Sequence, residues 1–159
     1  MEVRNKVRSV AYDMDVAKIS VVGIPDKPGI AASIFVPLAK AGISVDTIVQ
    51  NSSVNKIADL TFTVTKDQIN DAMKVAKPIA KKLGASNIVA DSELGKVSIV
   101  GTGMQNTPGF AAKMFDTLSN NGINIELIST SEIRITCIIK ESKVKEAVRA
   151  LHKAFEVEV

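Results

Sequence analysis

Two glycine-rich loops carry the residues of this 159-residue chain that are best suited to bind a small ligand. The first is Gly23-Ile-Pro-Asp-Lys-Pro-Gly29, and the second, Gly101-Thr-Gly-Met-Gln-Asn-Thr-Pro-Gly109, is two residues longer. Each places a glycine where a helix should begin, so a ligand can approach N–H groups that no helical carbonyl satisfies. These N–H groups favour an anion such as a carboxylate, and Asp26 offers a negative charge to an ammonium or hydroxyl. The first loop therefore suits the two ends of an amino acid, although a simple turn with Asp26 near a helix cap is the alternative interpretation.

Polar side chains recur in the segments that follow the two loops. Asp46 and Gln50 are four residues apart, so both should lie on one face of a strand, and Glu126 and Thr130 repeat this spacing. Further polar residues flank these pairs: Asn51, Asn124 and Ser131. A solvated strand face explains them simply, whereas such a dense polar cluster also suits the lining of a pocket between domains.

The sequence offers few groups for catalysis or metal binding. His152 is the only histidine and Cys137 the only cysteine, which excludes a disulfide framework, a four-cysteine zinc site and a three-histidine metal centre. Gly101-Thr-Gly103 lacks the third glycine of a dinucleotide-binding loop, because Asn106 stands at that position, and no P-loop occurs. An active site needs several convergent ionisable groups. We therefore expect no catalytic residues, no metal and no cofactor on this chain.

Composition and charge exclude several other classes of protein. With 46% hydrophobic residues the chain is rich enough in apolar side chains to fold around a core. The formal net charge of +3 is too small for a strong nucleic-acid footprint, and Tyr12 and Phe62 are too few strand aromatics to stack RNA bases. No apolar run approaches the roughly 18 residues of a membrane span, and the first residues lack the apolar region of a signal peptide. The expected location is cytoplasmic.

The elements that must position these residues are repeated along the chain. Lys18-Ile-Ser-Val-Val-Gly23 matches Lys96-Val-Ser-Ile-Val-Gly101, and Pro28-Gly-Ile-Ala-Ala32 matches Pro108-Gly-Phe-Ala-Ala112. Residues 28–51 and 108–131 share nine identities in 24 aligned positions. Self-similarity at one fixed offset is typical of a duplicated domain, here of about 80 residues.

Each copy predicts the same order of elements, β-α-β-β-α-β, from the spacing of its apolar residues. The predicted strands of the first copy are Ile19–Gly23, Val45–Val49, Leu60–Val64 and Asn87–Ala90, and its helices begin at Pro28 and Asp67. The predicted elements of the second copy are strands Val97–Val100, Ile125–Ile128 and Ile133–Ile139 and helices Pro108–Asn120 and Val144–Phe155. This is the ferredoxin-like order, so the predicted fold class is α+β, with antiparallel sheets and helices on one face.

The predicted domains are 14–92 and 93–159. Too few residues follow Phe155 for a full fourth strand in the second domain. The spare segment Val7–Tyr12 alternates moderately, so we expect strand 6–12 to complete the second domain. The first domain would then be an insertion within the second.

Four stretches of the chain resemble the regulatory part of aspartate kinase, which is a pair of ACT domains: Val22–Ala32, Gln50-Asn51, Gly95–Gly101 and Ile125–Arg134. Glu126-Leu-Ile-Ser-Thr-Ser-Glu-Ile133 is quite specific to that family, whereas the Pro-Gly loop marks ACT domains in general. The resemblance extends from about Val10 to Phe155 and does not include the kinase domain with its Lys-Phe-Gly-Gly opening. The length and the Met1 start resemble the separate regulatory β subunit, and a C-terminal piece of a longer kinase would look the same.

The resemblance implies feedback control of an ATP-dependent phosphotransferase. Aspartate kinase phosphorylates the side-chain carboxylate of aspartate, the first step toward lysine, threonine and methionine. In this family the regulatory chains form homodimers through their ACT domains, act on a catalytic kinase chain, and bind threonine, lysine or both between domains of two chains. The resemblance assigns effector binding to Asp26, Gly29, Ile30, Ala31, Asp46 and Gln50, with Asn124 and Ile125 of the partner subunit.

The same resemblance gives each group of the first site a role. Backbone amides of Gly29–Ala31 would take the effector carboxylate, and Asp26 or Gln50 would hold its hydroxyl or ammonium. In the second loop Asn106 matches Asp26, so its ligand should differ or be missing. Weaker candidates for a second effector site are Met104, Thr107, Gly109, Ala111, Glu126, Thr130 and Ser131.

The expected function is therefore that of a regulatory subunit that binds threonine and/or lysine and gives feedback inhibition of aspartate kinase. One alternative is a structural subunit that assembles the kinase without binding a ligand. Another is an enzyme in its own right, which the missing catalytic cluster disfavours.

Overall fold

The computed structural model describes residues 6–104 and 107–157, which contain six strands and four helices. The strands are β1 (Lys6–Pro25), β2 (Ile48–Ser52), β3 (Ile57–Val64), β4 (Asn87–Thr102), β5 (Leu127–Thr130) and β6 (Arg134–Lys140). The helices are α1 (Ile30–Lys40), α2 (Ile69–Lys82), α3 (Phe110–Asn120) and α4 (Val144–Ala154). None of the helices in this part of the chain is both long and apolar enough to cross a membrane.

The chain divides into two compact units, each with ferredoxin-like strands and helices. The predicted α+β fold class is confirmed. The first unit comprises residues 15–92, and the second comprises the segments on either side, up to Met14 and from Glu93. β1 and β4 are long strands that contribute residues to both units.

The first unit has the strand order β2-β3-β1-β4, with β3 antiparallel to both β1 and β2. Alternation along β1 turns Ile19 and Val21 into the core, where α1 adds Ile30, Ile34 and Leu38. The helical spacing of these three α1 residues gives the helix one apolar face. From α2 come three small buried residues, Ala72, Ala76 and Ala80.

The second unit repeats this design with the order β1-β4-β6-β5. Its core contains Val97 and Ile99 of β4, Cys137 of β6, and the helical residues Met114 and Leu151. Val7, at the start of β1, is only 6% exposed and packs into the same core. The first residues of β1 therefore belong to the second unit and contribute to its core.

Several element boundaries differ from the sequence prediction. β2 begins at Ile48 rather than Val45, because the Thr47 N–H donates to the Thr63 hydroxyl at 3.0 Å instead of to a regular ladder carbonyl. β5 begins at Leu127 rather than Ile125. Ile133 precedes β6 and is 55% exposed, whereas the prediction placed it inside that strand.

Candidate functional site

The loop from Gly23 to Gly29 joins β1 to α1 and leaves the start of the helix uncapped. Gly29 is the N-cap residue, with φ 93° and ψ −11°, a left-handed conformation that glycine adopts without steric cost. No side chain caps this helix terminus. The N–H groups of Ala31 and Ala32 have no hydrogen-bond acceptor among the described residues. Two backbone donors are thus available at the positive end of the α1 dipole.

The space in front of these donors is open. A Cβ added to Gly29 would meet no atom within 4 Å, so a ligand can approach the backbone there. The Ile30 side chain is 7% exposed and belongs to the core, and its N–H donates to the Lys27 carbonyl at 3.4 Å. The Ile30 side chain is therefore not available to a ligand and its N–H is already engaged, which leaves the carboxylate contact to neighbouring N–H groups such as those of Ala31 and Ala32.

Asp26 lies half-buried in the same loop, three residues before the N-cap. Its backbone N–H donates to the Lys56 carbonyl at 2.9 Å, which fixes the residue against the turn between β2 and β3. Within the described chain its carboxylate has no hydrogen bond or ion pair. Asp26 therefore offers an unpaired negative charge beside the free N–H groups, an arrangement that matches the ammonium and carboxylate of an amino acid.

The register of the sheet brings Gln50 near this loop but not Asp46. Ala58 of β3 pairs with Ser52 of β2 on one side and with Ile24, beside the loop, on the other. Gln50 is exposed and lies two residues before Ser52 on β2. Asp46 precedes β2, and its N–H donates to the Thr63 carbonyl at 3.1 Å. From Ile57 to Thr63 along β3 is about 20 Å at ~3.3 Å per residue. The expectation that Asp46 and Gln50 share one strand face is thus wrong, and Asp46 of the same chain lies far from the loop.

The second loop ends in the same helix cap as the first. Gly109 is the N-cap of α3, with φ 103° and no side-chain cap, and a Cβ added there would meet no atom within 4 Å. Ala111, half-buried, and Ala112 likewise have no acceptor for their N–H groups in the described part of the chain. Met104 differs from the prediction, because its side chain is 5% exposed and packs into the core. Asn106, the counterpart of Asp26, lies outside the described residues.

The remaining predicted residues of the second copy lie at opposite ends of β5. Thr130 and Ser131 are exposed near the loop end, and the Ser131 N–H donates to the Arg134 carbonyl at 2.8 Å. Glu126 is at the other end, where its N–H donates to the Ile138 carbonyl at 2.8 Å and its carboxylate lies 4.0 Å from Lys140. The structure therefore keeps Thr130 and Ser131 near the second loop and removes Glu126 from it, as it removes Asp46 from the first.

The other candidates are distributed between solvent and core. Thr107 is half-buried in the second loop, and its N–H donates to the Met104 carbonyl at 3.4 Å. Asn124 is exposed just before β5, and Ile125 packs against the core of the second unit. Each lies in the unit that does not contain the first loop, so their contribution to a site on that loop stays a prediction.

The single cysteine of the sequence packs in the core of the second unit, and the single histidine lies on α4. Cys137 is fully buried with its Sγ 4.0 Å from the Met114 sulfur, and burial raises the pKa of the thiol to about 12. A protonated, buried thiol is a poor nucleophile. His152 is half-buried on α4, and its Nδ1 has no hydrogen-bond partner in the described structure. Residues 6–104 and 107–157 contain no cluster of three acidic, histidine or cysteine side chains able to hold a metal.

Sequence analysis did not single out two residues that hold the first loop in place, Lys56 and Asp59. The Gly23 N–H donates to Asp59 Oδ1 at 2.9 Å, and the Asp26 N–H donates to the Lys56 carbonyl. Both contacts connect segments some 30 residues or more apart. No local spacing signals such a contact, which depends on the pairing of β1 with β3.

Comparison with known proteins gives one consistent result. A family model of the ACT domain matches residues 19–77 and again residues 97–155. The chain is 43% identical over 152 residues to an aspartate kinase of Pseudomonas fluorescens, covering 96% of this chain and 37% of that protein. It is 42% identical over 160 residues to an aspartokinase of Thermus thermophilus, covering 99% of this chain and 39% of that protein. The chain thus spans little more than a third of the length of these curated relatives.

Solved structures extend this similarity over whole chains. The chain is 43% identical to the regulatory subunit of aspartate kinase from Thermus thermophilus in its ligand-free form, with a TM-score of 0.88 over 94% of this chain and 98% of that one. A structure of aspartokinase alpha and beta subunits gives 42% identity and a TM-score of 0.88, over 95% and 99% of the two chains. Aspartokinase III of E. coli, in complex with lysine and aspartate, shares the fold at 17% identity and a TM-score of 0.72.

Proposed function

This chain belongs to the aspartokinase family, as its regulatory pair of ACT domains, and we propose that it binds an amino acid and thereby controls an aspartate kinase. The proposed effector is threonine, lysine or both. The proposed partners are a second copy of this chain, paired through the ACT domains, and a catalytic chain that phosphorylates the carboxylate of aspartate with ATP.

The observation that carries the proposal is the uncapped start of α1 beside Asp26. The effector carboxylate accepts from the free N–H groups of Ala31 and Ala32, where the helix dipole contributes roughly 0.3–1 kcal/mol to an anion's binding. The unpaired Asp26 carboxylate takes the effector ammonium or hydroxyl. Gln50, exposed on β2, is the second polar candidate for the effector side chain.

A partner subunit completes the proposed site. Asn124 and Ile125 of the partner subunit would close it over the first loop. Binding at such an interface favours one arrangement of two chains over others. Inhibition follows if the inactive kinase prefers that arrangement, because a ligand shifts only those equilibria whose states it binds with different affinity.

Thermal melting of the purified chain against each of the twenty amino acids tests effector binding. At 100 times its Kd a ligand adds about 2.7 kcal/mol to the free energy of unfolding, which corresponds to about 5–11 °C at roughly 2–4 °C per kcal/mol. Asp26→Asn, nearly the same size but uncharged, should lose most of the shift. Asp116→Asn removes an exposed charge from α3 and should keep it.

Reconstitution with the catalytic chain tests the regulatory role itself. The effector that stabilises the chain should inhibit aspartate phosphorylation, and Asp26→Asn should relieve this inhibition without loss of uninhibited activity. Inhibition that persists in Asp26→Asn would contradict the site assignment. If no amino acid stabilises the chain or inhibits the reconstituted kinase, the proposed effector role is wrong and a purely structural assembly role remains.

A further inference from the structure

The first effector loop leaves the sheet at an irregularity in the pairing of β1 with β3. Val21 lies opposite Leu60 and Ile24 lies opposite Ala58, so two residues of β1 face the single residue Asp59 of β3. This is a β-bulge, a feature that leaves an extra residue without a regular ladder partner and redirects the strand. Here it redirects β1 shortly before the strand ends at Pro25 and the chain continues to Asp26.

Asp59 and Ser86 hydrogen-bond to the backbone of the two bulge residues. The Gly23 N–H donates to Asp59 Oδ1 at 2.9 Å. The Val22 carbonyl accepts from the Ser86 N–H at 2.8 Å and from the Ser86 hydroxyl at 3.1 Å. Gly23 has φ 72°, and an added Cβ would lie 2.6 Å from Ser86 Oγ, so glycine is strongly favoured at this position of the bulge.

The turn between β2 and β3 holds the next part of the loop. The Lys56 N–H donates to the Ser53 carbonyl at 3.1 Å, and the Ser53 N–H donates to the Ile57 carbonyl at 2.9 Å. Lys56 adopts φ 58°, a left-handed conformation that is costly for a residue with a Cβ. In this conformation its carbonyl accepts the Asp26 N–H. The start of β3 therefore fixes both the first and the fourth residue of the loop.

The second copy lacks this side-chain anchor. The pair Ser20–Thr61 of the first unit corresponds to the pair Ser98–Thr136 of the second. Two residues before these threonines stand Asp59 and Arg134, so Arg134 occupies the position of Asp59. A guanidinium has no acceptor for an N–H. The Gly101 N–H, the counterpart of that of Gly23, donates instead to the Ile133 backbone carbonyl at 2.9 Å.

From this difference we infer that Asp59 is a positioning residue, whose carboxylate holds the bulge at Gly23 and so keeps the first loop in its amino-acid-binding shape. The inference rests on the proposed function, because it concerns affinity for the effector. An unanchored loop spends less time in the binding-competent conformation, and the apparent Kd rises in inverse proportion to the competent fraction. Asp59 touches no ligand and acts only through the loop backbone.

The test compares three variants of the full chain. Asp59→Ala removes the acceptor, whereas Asp59→Asn keeps a side-chain oxygen in its place. Asp15→Ala is the matched control, because exposed Asp15 also accepts a backbone N–H, that of Lys66 at 2.8 Å, but in a different part of the same unit.

Two measurements separate positioning from a general structural role. In proton–nitrogen correlation spectra, the Gly23 amide proton should move upfield in Asp59→Ala and stay near its original position in the other two variants. In calorimetric titrations with threonine and with lysine, the Kd of the binding amino acid should rise about threefold to tenfold in Asp59→Ala. It should change by less than about twofold in Asp59→Asn and Asp15→Ala.

Each contrary outcome has a distinct meaning. If Asp59→Ala displaces the Gly23 amide but leaves the Kd unchanged, the positioning role is overturned while effector binding stands. If Asp15→Ala raises the Kd as much as Asp59→Ala, the effect is a general loss of stability and the positioning role is again overturned. If neither amino acid binds the unmodified chain, the proposed function fails and the inference fails with it.

Discussion

The two glycines that flank α1 allow a direct test of the proposed effector site. Gly29 begins the helix with φ 93°, and Gly42 follows its end with φ 77°. A Cβ added at either position meets nothing within 4 Å, so Gly29→Ala and Gly42→Ala both introduce backbone strain without a steric clash. At about 1–2 kcal/mol for a left-handed alanine, each variant should melt roughly 2–8 °C lower than the unmodified chain.

The two variants should differ in their response to an effector. Gly29 directly precedes α1, so we expect a methyl group there to hinder the approach of a carboxylate to the Ala31 and Ala32 N–H groups. If it weakens binding about 100-fold, a ligand at 100 times the original Kd adds only about 0.4 kcal/mol instead of about 2.7 kcal/mol. The ligand-induced rise in melting temperature then falls from about 5–11 °C to roughly 1–2 °C. Gly42→Ala lies at the far end of α1 and should keep the full rise.

Differential scanning fluorimetry with threonine and lysine measures both effects in one experiment. The strain of the substitution appears without ligand, and the loss of binding appears as the difference between the two variants with ligand. If Gly29→Ala keeps the same ligand-induced rise as Gly42→Ala, the effector does not bind at the start of α1. The reasoning from the uncapped helix terminus would then be refuted.

Two further predictions concern the second unit. The Ser98 side chain is 1% exposed and its hydroxyl lies 2.7 Å from that of Thr136. Thr136→Val removes this buried hydrogen bond and should lower the free energy of unfolding by about 1–3 kcal/mol in denaturant titrations. Thr61→Val removes the corresponding, partly exposed hydrogen bond to Ser20 and should lower the free energy of unfolding by less. Burial raises the pKa of Cys137 to about 12 in the folded chain. As the pH rises above about 9, the thiol therefore loses its proton in the unfolded chain but not in the folded one, which lowers the free energy of unfolding. Melting temperatures from about pH 8 to about pH 10.5 should therefore fall less steeply in Cys137→Ala, and equal slopes would contradict this coupling.

Helix placement was predictable because each helix buries a face whose period is visible in the sequence. Ile30, Ile34 and Leu38 recur at helical spacing and all three are buried in the first core. The repeat then transferred the prediction to α3, which ends at Asn120 as expected. The positions of the two loops were equally predictable, since each loop lies between a strand rich in β-branched residues and the glycine that precedes a helix.

Strand boundaries and loop anchors were less predictable, because they depend on contacts between distant segments. The spacing of Asp46 and Gln50 implied one strand face only if the strand extended back to Val45. The Thr63 hydroxyl, from another strand, takes the Thr47 N–H and interrupts the ladder there. Asp59 likewise reaches Gly23 across 36 positions, through a bulge that no periodicity reveals.

The two copies share the backbone conformation at the start of the helix and differ in what holds the loop before it. Gly29 and Gly109 both adopt a left-handed conformation at the start of a helix, and a Cβ added to either would meet no atom within 4 Å. The anchors were free to diverge, since a carboxylate at Asp59 and a backbone carbonyl at Ile133 both satisfy one glycine N–H. The first loop therefore uses a side-chain carboxylate where the second loop uses a backbone carbonyl. It follows that substitution of Asp59 should alter the first loop alone, so that the two copies can be tuned separately although their helix caps are the same.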